Sequence, residues 1–384
     1  MIFPAPVLIF AFFFHIYPGF AQNATLLKDN SPNCSCYVVE TGGTPSYFQY
    51  HRFWDFRNVA TTKNEYTVTP PAVNNSQDAG NELTPDQAFL NSSAWNADWG
   101  IQDWGKPSTN DFPVRMQNSP ANVYIQQNNV SSYASDYDTY LTLRTVRLDD
   151  FQSSAEVENE QKNLMHASLR VKARVVGVKG AVAGFFTFYD DNNESDIEIL
   201  TDDPVSMIRY TNQPSVDNSG NAIPQSSLNP SNLPSWDTWH THRIDWLPKQ
   251  SFWYLDSVEV ANNTYSVPRK PSGLVMNMWS DGGEWSGNMT VGGSAEYHIQ
   301  WIEMVFNTSG PVYGPGGGNR KREVAGLEKR KNNGCKIVCR VDGVKNNGFP
   351  EVAHVSAAGL GSVPILSPWS LVVAVGLVTA MMEV

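Results

Sequence analysis

The stretch Gly184-Phe-Phe-Thr-Phe-Tyr-Asp-Asp-Asn-Asn-Glu194-Ser195-Asp196-Ile197-Glu198-Ile199-Leu200 decides how this chain is read. Glu194, Asp196 and Glu198 recur at i, i+2 and i+4. On a β-strand, where side chains alternate between faces, that spacing projects all three acids from one side and turns Ile197 and Ile199 to the other. Like charges crowded on one sheet face are destabilising, and crowding keeps one carboxyl protonated beside an ionised neighbour near neutral pH. Glycoside hydrolysis needs such a pair: one carboxylate attacks the anomeric carbon while a carboxylic acid protonates the leaving oxygen. A retaining mechanism sets the two carboxyls about 5 Å apart, whereas Cα positions four apart on a flat strand lie roughly 13 Å apart. The strand must therefore twist and curve so that the side chains lean together. The bland alternative is a solvated acidic face. A calcium loop is a second rival, since Asp191-x-Asn193-x-Ser195 imitates the start of an EF-hand, but Asp196 stands where that loop needs Gly.

Around this strand, from Tyr37 to Phe306, short β-type runs are separated by clusters of Gly, Pro, Asn, Asp and Ser. The spacing predicts strands over 140–147, 168–178, 182–190, 195–201, 240–246, 251–255, 275–279 and 297–306. Ser168-Leu-Arg-Val-Lys-Ala-Arg-Val alternates polar with apolar, as a strand with one wetted face does. Helical periodicity is nearly absent, with 161–166 read as a single short turn. Many strands without βαβ alternation point to an all-β antiparallel sandwich.

Glu194-Ser-Asp-Ile-Glu198 resembles the signature strand of the family 16 glycoside hydrolases, the laminarinase- and lichenase-like β-glucanases. Trp239-His-Thr-His-Arg-Ile-Asp-Trp246 with Phe252-Trp-Tyr-Leu-Asp256, and Asn277-Met-Trp279-Ser-Asp-Gly-Gly-Glu-Trp285, agree with later family segments in order and spacing. The likeness is to a fungal branch, many of whose members are secreted and lipid-anchored. It implies a concanavalin A-like jelly roll of two curved antiparallel sheets with an open glycan cleft. Glu194 would then be the nucleophile, Glu198 the general acid/base, and Asp196 the hydrogen-bonding partner that holds the nucleophile. Ser195 departs from the aliphatic residue commoner in the family, but it points away from the acids. Trp279 and Asn277 share a strand face and are expected to line the groove, with Trp285 in the following loop. Tyr210, Asn212 and Gln213 offer hydroxyl and amide groups suited to sugar hydroxyls. One of His240 and His242 is a further candidate for the cleft.

The two ends frame this domain. Residues 1–21 read as a secretory signal peptide, the alternative being a membrane anchor. Residues 22–309 form the catalytic domain, and 310–350 a Gly/Pro-rich and basic linker that includes Cys335 and Cys339. Residues 351–384, with Ser356-Ala-Ala-Gly359 ahead of an apolar run, read as a lipid-anchor (GPI) signal, the alternative being a spanning helix. Nine N-x-[ST] sequons, at Asn23, Asn33, Asn74, Asn91, Asn129, Asn193, Asn262, Asn288 and Asn307, agree with secretion. A glycan on Asn193 would obstruct the cleft, so that sequon is expected to be empty. Cys34, Cys36, Cys335 and Cys339 are expected to form two disulfides, with three connectivities open; a four-thiolate zinc site is the rival. The formal charge of −11 opposes nucleic acid or anionic membrane surfaces as partners but not a neutral glucan, and twelve Trp suit sugar stacking. No cofactor is expected, and the chain is read as a monomer at the outer face of the plasma membrane or in the cell wall. The leading expectation is an endo-acting β-1,3 or mixed-linkage β-1,3/1,4-glucanase that retains configuration. A cell-wall transglycosylase using the same residues, and a non-catalytic lectin on the same scaffold, are the competing readings.

Overall fold

The computed structural model describes residues 34–59, 87–128, 137–313 and 335–355. The expected leader, most of the basic linker and the tail beyond 355 lie outside the described residues, as do the sequons Asn23, Asn33, Asn74 and Asn129.

Alternation builds the two main sheets. In strand Leu164–Gly177, Ala167, Leu169, Val171, Ala173 and Val175 are fully buried, and Ser168, Arg170, Lys172 and Arg174 point the other way. This strand centres a back sheet that runs Val258–Asn263, Gln250–Leu255, His240–Leu247, Leu164–Gly177 and Ser294–Thr308, antiparallel throughout. The long Ser294–Thr308 strand then pairs with two neighbours on its free edge, Tyr50–Asp55 and Thr139–Arg147.

Facing it is a groove sheet in the order Ser227–Leu228, Arg209–Asn212, Asn193–Leu200, Val182–Asp190, Gly273–Trp279, Gln152–Asn159 and Trp99–Ile101. Phe185, Ile197, Ile199, Met276, Met278 and Val157 from this sheet belong to the same buried core as Leu169, Val171, Ile244, Trp246 and Trp253 from the back sheet. Two packed, curved antiparallel sheets make the fold a jelly roll, as expected, and every expected strand is present within a few residues. Of the short turn expected at 161–166, only Lys162 and Asn163 turn, and from Leu164 the chain is already strand. The described helices, Gln87–Leu90 and Ser93–Asn96, are single turns, the second capped by Ser92 Oγ accepting from the Trp95 N–H at 3.1 Å.

The segment 335–355 differs from its reading as linker and start of tail. It forms strands Ile337–Arg340 and Glu351–Val355, which complete a four-stranded sheet with Thr44–Phe48 and Cys36–Thr41. The disulfides are Cys34–Cys339 and Cys36–Cys335, so both staple the N-terminal strand to the C-terminal one. Tyr37, Val39, Phe48 and Val341 pack over Val305 of the back sheet. Beneath the small sheet lie two buried arginines. Arg170 pairs with Glu303 at 3.3 Å and Asp342 at 2.8 Å, and Arg243 reaches Asp342 at 3.1 Å as well as Asp245. The apparent linker residues thus contribute a carboxylate to the charge balance of the back sheet, which holds them in place.

His242 lies on the core side of its strand, 1% exposed, and neither ring nitrogen finds a hydrogen-bond partner among the described residues. His240 bonds Thr238 at 2.7 Å and Asp256. Neither histidine lines the groove, because their strand belongs to the back sheet. Burial pushes His242 down to about 4, below the usual imidazole value of about 6.5. Between these two values the unfolded chain binds a proton that the folded chain refuses, so stability falls as pH drops through that window. The full shift corresponds to at most about 3 kcal/mol. His242→Leu is therefore expected to melt no lower than the native protein at pH 7 and several degrees higher at pH 5. An unchanged difference between the two pH values in thermal melts would remove His242 as the source.

Candidate active site

Pairing register determines which side chains reach the groove. Across the sheet, Glu198 stands opposite Gly184, Gly184 opposite Asn277, and Asn277 opposite Glu156. These positions form one row on the groove face. Gly184 leaves that row open: a Cβ there would come within 2.6 Å of Asn277 Oδ1. One row away, Asp196 is opposite Phe186, and Glu194 is opposite Phe188 beyond that.

All three expected acids line one solvent-open cleft of about 200 Å³, together with Glu156, Asn277, Trp104, Trp279 and Phe186. Asp196 is 2% exposed, and Glu194 and Glu198 are partly open to the cleft. Asp196 Oδ2 accepts from Gln213 Nε2 at 3.1 Å, and Glu198 Oε1 accepts from Trp285 Nε1 at 3.2 Å. Asn277 Nδ2 donates to Glu156 Oε2 at 3.3 Å, and Trp104 Nε1 donates to Glu156 Oε1 at 2.9 Å.

Burial is the main cause of every carboxyl shift here, since removing a carboxylate from water favours its protonated form. It pushes Glu198 up to about 7, against the pull of the Trp285 N–H and the Arg209 cation. Glu194 and Asp196 are both raised by burial and by the neighbouring carboxylates. The pairing of these two carboxyls works in opposite directions, pulling Glu194 down and pushing Asp196 up, while burial still holds Glu194 up to about 8. Glu156 is raised to about 7, again chiefly by burial.

The other expected binding residues divide by register. Trp279 and Asn277 line the cleft, and Trp285 touches Glu198. Tyr210 does not reach the cleft: it is opposite Ile197, fully buried, with its ring 5.9 Å from that of Trp253. Asn212, opposite Ser195, is equally buried and bonds the Tyr265 carbonyl and the Ser251 hydroxyl. Gln213 contacts the site through Asp196 rather than through open cleft. The groove-facing residues of that strand are Arg209, opposite Glu198, and Thr211, opposite Asp196. Asn193 is engaged in the turn, donating to Asp190 at 2.8 Å and accepting from the Arg269 N–H at 3.0 Å. Both contacts support the expectation of an unmodified Asn193, which an intact glycopeptide spanning this residue would refute.

Glu156, Trp104 and Arg209 escaped the sequence reading. Ala155 and Val157 alternating against Ser154, Glu156 and Glu158 were the available signal for Glu156.

Crowded carboxylates lining one groove are the arrangement that glycoside hydrolysis uses. Residues 117–303 match the model of the glycosyl hydrolases family 16, the family that the acid strand resembles. A stretch of 149 residues is 30% identical to a xylanase/beta-glucanase of Ruminococcus flavefaciens, covering 36% of this chain and 17% of that one. A stretch of 135 residues is 28% identical to a beta-glucanase of Bacillus subtilis (strain 168), covering 33% of this chain and 52% of that one. The chain thus spans about half or less of the length of these two relatives. Among solved structures, an endo-beta-1,3-glucanase from Pyrococcus furiosus superposes with a TM-score of 0.45 at 16% identity, covering 71% of this chain and 99% of that one.

Proposed function

We propose that this protein is an endo-acting β-glucan hydrolase, cutting β-1,3 or mixed-linkage β-1,3/1,4-glucan with retention of configuration. The observation that carries the reading is the strand Asn193–Leu200, which presents Glu194, Asp196 and Glu198 to one cleft. In the first step the Glu194 carboxylate attacks the anomeric carbon as Glu198 gives its proton to the departing glycosidic oxygen. The carbon–oxygen bond breaks and a glycosyl ester on Glu194 remains. Asp196 keeps its proton and holds Glu194 in line by hydrogen bonding. In the second step Glu198, now ionised, takes a proton from water. The water oxygen bonds to the anomeric carbon, and the Glu194 carboxylate is released. Trp279, Asn277 and Glu156 supply a stacking face and hydrogen-bonding groups for the sugar beside the acids.

Outside the cell, where we place the enzyme, the two disulfides would be stable, and a C-terminal lipid anchor would hold it beside its substrate. The glycosyl ester would pass equally to a second glucan chain, so hydrolysis and wall remodelling are separated by products. Laminarin, lichenan and labelled β-glucan oligosaccharides are incubated with the full chain, with and without an acceptor. Shorter reducing oligosaccharides are the expected result, longer products made only with acceptor would indicate transfer, and binding without turnover would leave the lectin reading.

The shifted carboxyls imply a pH profile. Glu198 must be protonated to act as acid, and burial holds it up to about 7. Glu194 must be ionised to attack, and burial raises it as well, so kcat/KM is expected to fall as pH rises through about 7 and to fall again on the acidic side as Glu194 takes up a proton. Rates on soluble glucan from pH 4 to 9 test this, and a profile flat to pH 9 would contradict it.

A further inference from the structure

Glu198 accepts one hydrogen bond among the described residues, from the indole of Trp285. Trp285 is 39% exposed, on a loop whose flanking residues Asp281 and Ser286 are buried. Asp281 Oδ1 accepts from the Gly283 N–H and from Ser286 Oγ, each at 3.0 Å, and the Gly287 N–H reaches the Gly283 carbonyl at 3.0 Å. These bonds shape the loop backbone but leave the indole ring itself to be oriented by something else. The Arg209 guanidinium supplies that contact, with Cζ 4.6 Å from the centre of the Trp285 ring. Arg209 is in turn held by two parallel bonds to Asp203, at 2.7 and 2.9 Å, the geometry that a planar fork makes with a carboxylate. It is also the direct cross-strand neighbour of Glu198 on the groove face.

We propose that Arg209 is a positioning residue for the acid/base: clamped by Asp203, it holds the Trp285 indole against Glu198 and so orients the Glu198 carboxyl. The inference rests on the reading of Glu198 as acid/base. Asp203 fixes the guanidinium, the guanidinium fixes the ring by cation–π contact, and the ring N–H fixes one carboxyl oxygen, leaving the other to face the leaving group. The same cation and N–H both favour ionised Glu198 against burial, which serves the second step, where Glu198 works as base. The plainer role for Arg209 is a salt bridge that braces the turn after the acid strand. That role predicts no dependence on the leaving group.

The test compares Arg209→Met and Arg209→Lys in the full chain on two substrates. One is lichenan or laminarin; the other is a 2,4-dinitrophenyl β-glucan oligosaccharide, whose leaving group departs without a proton. Arg209→Met is expected to lower kcat/KM on the polysaccharide by about 10- to 100-fold, within the range that general-acid catalysis contributes, and to change the dinitrophenyl rate less than about threefold by the same argument. The basic limb of the polysaccharide pH profile should move upward, because the cation and the donor that favoured ionised Glu198 are lost. Arg209→Lys, which keeps the charge but not the fork, should fall between, and its substrate ratio and pH limb decide the matter if the Met variant does not fold. Equal losses on both substrates with an unmoved basic limb would overturn the inference. Glu198→Ala serves as the reference. If it too loses equally on both substrates, the assignment of Glu198 itself fails; if it discriminates and the arginine variants do not, this inference alone fails.

Discussion

Glu194→Gln is expected to lower kcat/KM on β-glucan by about 10⁴-fold or more, because no step of double displacement survives without the nucleophile. A loss of that size corresponds to about 5.5 kcal/mol of transition-state stabilisation. The amide has the shape of the carboxylate it replaces, so binding of glucan should persist. Its effect on stability has the opposite sign to its effect on rate. Glu194, Asp196 and Glu198 are raised by burial and, in Glu194 and Asp196, by mutual repulsion as well. Removing the Glu194 charge relieves Asp196, and the variant should melt at or above the native temperature near neutral pH. Loss of activity together with loss of the fold would contradict this account, as would residual activity above about one part in a hundred, since a positioning role costs far less than a missing nucleophile.

The second large effect concerns the staple on the back of the molecule. Cys34–Cys339 and Cys36–Cys335 join residues 305 and 299 positions apart. In the chain-entropy treatment, one crosslink over so long a loop stabilises the fold by about 5–6 kcal/mol. The two crosslinks are not additive. Once Cys34–Cys339 is closed, Cys36 and Cys335 are already tethered within a few residues of each other, so the second bond closes only a short circuit. Replacing either pair by Ser should therefore cost only about 2 kcal/mol, and replacing both about 8 kcal/mol, the long-loop and short-loop contributions together. With both gone, the small sheet should detach, exposing Val305 and leaving Arg170 and Arg243 without Asp342. Denaturant melts of the two single-pair variants and the double variant decide it. Equal and additive losses would show that each bridge acts locally instead.

The acid strand was legible because period-two alternation needs nothing beyond its own residues: Glu194, Asp196 and Glu198 on one face, Ile197 and Ile199 on the other. Where the reading failed, the missing information was long-range. Tyr210 and Asn212 looked suited to sugars by chemistry, but register opposite Ile197 and Ser195 turns them inward and gives the groove face to Arg209 and Thr211. Glu156 lies in Gln152-Ser-Ser-Ala-Glu-Val-Glu-Asn159, too polar to stand out as a sheet strand until neighbours bury it. Gln213 offers the expected amide, but that amide donates to Asp196. The strands within 335–355 are short and lie beyond the basic Gly/Pro-rich run, so nothing local ties them to the N-terminal strand. Their stability comes from two disulfides, pairing with Cys36–Thr41 and the charges on Arg170 and Arg243, none of which local composition reveals.

The most direct test of the central claim is to trap the glycosyl-enzyme. The full chain is incubated with a 2-deoxy-2-fluoro β-glucan oligosaccharide carrying a dinitrophenyl leaving group, and the labelled peptide is sequenced by mass spectrometry. One added glycosyl group on Glu194, with activity lost in proportion to labelling, is the predicted result. Steady cleavage of glucan with no adduct, or an adduct on Glu198 or Glu156 instead, would contradict the account.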